Sequence, residues 1–132
     1  AGAELSPSVY RRALHIVTGN ERVRKGTALL EKGDLPAFGS LMYDSHRSSK
    51  VNFENSCPEL DRLVDLAATV EGVYGARLTG GGFGGATLTL LPQTLRERFV
   101  EILSTRYRTP SGDPPQTYSA SIADGAEVLK QP

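Results

Sequence analysis

With 132 residues the chain is one domain's worth of polypeptide, long enough to bury a core. Fifteen Lys and Arg balance fifteen Asp and Glu, which removes the electrostatic case for nucleic acid or a membrane surface as partner. The single cysteine, Cys57, excludes an internal disulfide framework and a cysteine-based zinc site, and no membrane-length apolar run or leader-like opening is visible, so the cytoplasm is the expected compartment.

The first third reads as helix. Ser8, following Pro7, is the expected cap, and Ala13, Val17, Val23, Thr27 and Leu30 keep a helical phase as far as Gly33. Gly19 and Asn20 interrupt that phase, so one long helix with a weak spot and two shorter helices both fit. Gly33 is a C-terminal stop, and Asp34 caps a second helix with Pro36 in its first turn. Leu35, Phe38, Met42 and the pair Ser45/His46 share one face of it. Ser56-Cys57-Pro58-Glu59 has the form of a capping box and opens a third helix, striped by Leu60, Leu63, Val64 and Ala67.

Two apolar stretches then read as strands, residues 73–78 and 86–91, on either side of Thr79-Gly80-Gly81-Gly82-Phe83-Gly84-Gly85. Thr94-Leu95-Arg96-Glu97 repeats the capping box ahead of a helix carrying Leu95, Phe99, Ile102 and Leu103. After a loop of breakers at residues 109–116, Tyr118, Ala120 and Ile122 alternate with polar neighbours as in a half-buried strand, and Asp124-Gly125 marks a turn. The sum is a single α+β domain over residues 1–132, with helices first and then a small sheet.

The glycine run is the most informative segment. A hairpin needs one or two glycines, and five in seven residues point to something held against bare backbone. Phosphate is the usual visitor to such loops. A tight turn packed on another segment is the plain alternative. A Walker-type loop needs Lys and Ser/Thr after the last glycine, where Ala86-Thr87 stands. The spacing Gly80-x-Gly82-x-x-Gly85 fits a dinucleotide fingerprint, but that motif opens a helix and a strand follows here. A protein-kinase loop needs a lysine on the next strand, and no lysine lies between Lys50 and Lys130.

Residues 75–85, Gly-Ala-Arg-Leu-Thr-Gly-Gly-Gly-Phe-Gly-Gly, resemble the third motif of galactokinases, within the GHMP superfamily of small-molecule kinases. Ser45-His46-Arg47-Ser48, Ser56-Cys57-Pro58-Glu59-Leu60-Asp61, Phe38-Gly39-Ser40-Leu41-Met42 and Ala123-Asp124-Gly125-Ala126 fit in the same order, and the match runs from about Tyr10 to the end. Two places depart from it: Ala86 stands where the family often has Cys, and Val51-Asn52-Phe53-Glu54-Asn55 replaces an acidic, tyrosine-containing stretch.

The resemblance implies a ferredoxin-like C-terminal lobe with a small antiparallel sheet and packed helices. It also implies ATP-dependent phosphorylation of galactose in an intact enzyme, with ATP and Mg2+ bound mainly by an N-terminal domain that has no counterpart in these residues. No catalytic residue is then expected in this chain, and these residues alone are expected to be inactive. Its opening Ala-Gly-Ala, without Met, fits a piece of something longer.

Thr79, Gly80, Gly81, Gly82, Phe83, Gly84 and Gly85 become a loop facing the nucleotide and sugar cleft, with Ser45, His46 and Arg77 as candidates for the cleft wall. For His46 the competing role is a hydrogen-bonded core histidine. For Arg77 it is an ion pair with an acidic neighbour. A second reading of the scaffold is a non-catalytic sensor that binds galactose and ATP to present a protein-binding surface.

Overall fold

The computed structural model describes residues 5–125 and 128. Helix α1 runs Pro7–Glu31, α2 Leu35–Ser48, α3 Pro58–Ala68 and α4 Arg96–Arg106, with strands β1 (Gly75–Thr79) and β2 (Ala86–Leu90) between α3 and α4. A π-helical turn, Ser49–Phe53, extends α2, and a 3-10 turn, Gln93–Leu95, leads into α4. The strands pair antiparallel from Gly75 opposite Leu90 to Thr79 opposite Ala86, with the glycine run as their connection.

The core forms where the expected stripes of α3 and α4 close on the strands. Val64, Ala67, Val70, Ala76, Phe99 and Leu103 are buried together, and Leu60 and Leu78 are each 1% exposed. Burying one such leucine side chain contributes about 1.5–3 kcal/mol. Met42 and His46 are the buried side chains of the expected α2 face, and Leu35, Phe38 and Ser45 on it are half-buried.

Helix α1 is continuous through Gly19 and Asn20. Its expected stripe faces outward: Ala13, Val17, Val23, Thr27 and Leu30 are all exposed. The inward side instead mixes polar and small residues, His15, Thr18, Arg22 and Gly26, with Leu14 and Leu29. His15 stacks on Phe53 with ring centroids 4.7 Å apart, and a Cβ on Gly26 would sit 3.1 Å from the Phe38 ring. Helical phase alone does not say which side meets the protein.

Three caps differ from expectation. Ser6 rather than Ser8 caps α1, because Pro7 takes the first helical position and the cap precedes it. Ser56 does not cap α3; its hydroxyl donates to Asp61 at 2.7 Å, and Cys57 holds the cap position without a side-chain bond. Thr94 lies inside the 3-10 turn, so Leu95 precedes α4 uncapped.

The third strand is absent: residues 117–122 have no regular structure, with Tyr118 88% and Ile122 87% exposed. Alternation makes a strand only where an edge and an apolar face receive it, and among the described residues the sheet has two strands. Ala126 of the Ala-Asp-Gly-Ala motif lies outside the described residues.

The tightest approach between elements is backbone on backbone. A Cβ built on Gly39 of α2 would stand 1.9 Å from the Tyr74 carbonyl oxygen, and one on Gly75 would stand 2.2 Å from the Gly39 carbonyl oxygen. Neither obstacle is a side chain that could swing away. Gly39→Ala or Gly75→Ala is therefore expected to lower unfolding free energy by about 3 kcal/mol or more, read as a fall in denaturant midpoint.

Candidate functional site

The glycine loop is a left-handed turn sequence more than an open cradle. Gly80, Gly82, Gly84 and Gly85 have φ of 77°, 83°, 131° and 91°, and Phe83 joins them at 58°. Side chains resist this region, so four of the five glycines answer a demand of the backbone itself. Gly82 answers a second one, since a Cβ there would lie 2.0 Å from the Asn55 carbonyl oxygen. Only Gly81 has ordinary φ and no heavy atom within 4 Å of a built Cβ. Phe83 at the tip is 78% exposed.

The loop is tied at its middle. Phe83 N–H donates to the Asn55 carbonyl at 2.7 Å, and Asn55 Nδ2 donates to the Gly81 carbonyl at 3.1 Å. Asn55 was not among the expected site residues. The available signal was an amide side chain just before the Ser-Cys-Pro-Glu segment, and nothing in a linear reading joins it to a loop 26 residues on.

His46 lies at the root of the loop. Its Nδ1 accepts from the Leu78 N–H at 3.2 Å and its Nε2 donates to Asp61 Oδ1 at 3.1 Å. An amide N–H can only donate, so the ring proton belongs on Nε2 and the imidazole is neutral. Burial lowers the His46 pKa against the opposing pull of Asp61. Asp61 also accepts from Ser56 and pairs with Lys50 Nζ at 2.9 Å; burial raises its pKa, but these partners together bring it below the ordinary range. Both ring nitrogens are taken by protein groups, which leaves His46 linking α2, α3 and β1.

Ser45, beside it, is half-buried. Arg77 donates through Nε to the Leu78 carbonyl at 3.0 Å and makes no ion pair among the described residues. The two residues flank the His46–Leu78 contact and do not converge on the glycine run. Two cavities of about 420 and 370 Å³ flank α2, one lined by Thr18, Arg22 and Asp44, the other by Tyr43, His46 and Asp65; no loop residue lines either.

The described scaffold is thus a set of helices packed on a two-stranded hairpin whose connection is the glycine run. Residues 27–109 match the family described as GHMP kinases C terminal, and the chain belongs to that family. Among curated relatives, it is 45% identical to a galactokinase of Homo sapiens over 95% of the chain and 31% of that protein. It is 44% identical to one of Bos taurus over 98% of the chain and 32% of that protein.

The chain thus spans about a third of the length of the curated relatives it matches. Lactococcus lactis galactokinase, solved in complex with galactose, superposes with a TM-score of 0.73 at 34% identity, over 76% of this chain and 26% of that one. L. major mevalonate kinase, solved in complex with R-mevalonate, gives a TM-score of 0.60 at 31% identity, over 70% of this chain and 27% of that one.

The neutral histidines make stability depend on pH. Burial, followed by the charge of Arg22, lowers His15 as well. Unfolded histidine takes its proton near pH 6.5, while each folded site takes it only at lower pH. The unfolded state therefore binds more protons in that window, so this stability is complete above about pH 6.5 and is lost as pH falls. The denaturant midpoint is expected to drop between pH 7 and pH 5, and His46→Gln to weaken that dependence. A midpoint independent of pH in the wild type would contradict the assignment.

Proposed function

We propose that this chain is the C-terminal lobe of a galactokinase, a single domain whose whole enzyme transfers the ATP γ-phosphoryl group to galactose and yields galactose 1-phosphate. The observation that carries the reading is the level of identity to galactokinases along nearly the whole chain. The galactose-bound relative supports the choice of sugar. The compartment we infer is the cytoplasm, consistent with the free thiol of Cys57.

Phosphoryl transfer asks a protein for positioning and charge stabilisation more than for covalent chemistry. The loop suits that demand. Its peptide units turn through successive left-handed conformations, and Gly80, Gly81 and Gly85 are exposed with no side chain over them. Such backbone can approach phosphate oxygens closely and offer N–H groups to them. ATP supplies the phosphoryl group when bound, and Mg2+ screens its charge.

In this reading Mg2+ and most of the nucleotide would be held by an N-terminal domain of the whole enzyme. The residues assigned to the cleft are Thr79 to Gly85. Ser45, His46 and Arg77 act behind them, His46 by fixing the strand from which the loop departs.

Gly81 separates this role from folding. Gly81→Val meets open space with ordinary backbone geometry, so its stability cost is expected within about 0.5 kcal/mol. In the whole enzyme, turnover of galactose is expected to fall about tenfold or more, because misplacement of this order at a reacting centre costs that much. Gly82→Ala is expected to lose both stability and turnover. A coupled ADP-release assay with galactose and related sugars, alongside thermal unfolding, checks both variants. Sugar binding by the wild-type enzyme without phosphorylation would overturn the kinase reading.

A further inference from the structure

The link between α2 and α3 contains a residue in an unexpected conformation. Glu54 follows the π turn with φ 60° and ψ 39°, the left-handed region. Helices commonly end this way, and glycine or asparagine is the ordinary occupant. A glutamate there is strained, because its Cβ crowds the carbonyl oxygen that follows. A plain helix stop would be better served by glycine, so the carboxylate needs a reason.

The carboxylate is gripped from α1. Arg11 Nη2 donates to Glu54 Oε1 at 3.2 Å, and Arg12 Nη2 donates to Oε2. Arg12 Nη1 also donates to the Asn52 carbonyl, and its guanidinium lies 5.9 Å from the Phe53 ring centroid. One arginine therefore holds three consecutive residues. An isolated surface pair contributes little, but here two cations, a backbone acceptor and a ring act on one turn. Hydrogen bonding and charge from Arg12, then Arg11, hold the Glu54 carboxyl below its usual range, so the anchor stays ionised at neutral pH.

The next residue is the tie of the glycine loop. Asn55 is 7% exposed, and its Oδ1 is buried without a partner. Turning the amide over would set Oδ1 against the Gly81 carbonyl, so the unpartnered oxygen is the cost of the bond to that carbonyl. The Asn55 carbonyl meets the Phe83 N–H and the bare Cα of Gly82 with no room between them. A shift at Glu54 has one peptide unit to cross before it reaches the loop.

We infer that Glu54 is a positioning residue of the glycine loop, anchored by Arg11 and Arg12 and acting through Asn55 on Gly81 to Phe83. Its effect on turnover rests on the galactokinase reading. Its effect on the loop does not.

The test uses the whole protein with Glu54→Gly, which accepts the left-handed backbone while cutting the anchor, and Glu54→Gln, which keeps the size and loses the charge. Amide hydrogen exchange at Phe83 is expected to quicken about tenfold in Glu54→Gly and less in Glu54→Gln, with core amides of α3 unchanged. The kcat for galactose is expected to fall about tenfold in Glu54→Gly, with KM changed less than kcat. If Glu54→Gly fails to fold, Glu54→Gln carries the same two readouts. Unchanged exchange at Phe83 overturns the inference, as does faster exchange with wild-type kcat. A wild-type enzyme that leaves galactose untouched defeats the kinase reading instead, and the exchange measurement still decides the positioning role.

Discussion

The meeting of Gly39 and Gly75 governs how the remaining parts can be placed. Removing both side chains lets the α2 backbone rest on β1 directly, where a single added carbon would overlap a carbonyl. From that contact, seven helical residues lead to His46, about 10.5 Å at 1.5 Å per residue. Three strand residues lead from Gly75 to Leu78, about 10 Å at 3.3 Å per residue. The equal advance brings the His46 ring to the Leu78 amide, as observed. The helix and strand thus travel side by side in one direction and end at the same edge of the domain. There the π turn delivers Glu54 and Asn55, and β1 delivers the glycine run.

This arrangement changes what the glycines mean. An excess of glycine suggests space kept clear for a ligand, yet here most of it serves the chain's own geometry. Four positions need left-handed backbone, and one of those also receives the Asn55 carbonyl. Gly81 is the exception, required by neither its conformation nor a neighbour. Glycine count is a poor measure of ligand contact. The glycine that the fold does not need is the more telling one.

Much of the architecture was legible because it rests on local periodicity. The stripes of α2, α3 and α4 and the two strands around the loop stand where the sequence pattern sets them, with Gly33 and Asp34 as stop and cap. The errors arose where a polar group had a better distant partner than its local one. Ser56 meets Asp61 instead of capping α3. In α1 the inward side holds Leu14, His15, Thr18, Arg22, Gly26 and Leu29 while the valines face out, so the expected stripe pointed the wrong way. The π turn and the Glu54–Asn55 tie left no linear trace, since each gets its meaning from residues far along the chain.

The π turn has a consequence for how this sequence can change length. A π-helical turn holds one more residue than an α-helical path between the same points, and an α-helix advances about 100° per residue. Losing one residue from Ser49–Phe53 would let α2 continue as regular helix between the same two points, so Glu54 and Asn55 would keep their facing toward the two arginines and the glycine run. Losing a second finds no such reserve and would swing everything beyond by about 100°. The carboxylate of Glu54 would then leave the two arginines, and Asn55 would no longer face the loop. The turn is thus a reserve of one residue, beyond which chain length acts as an angular setting.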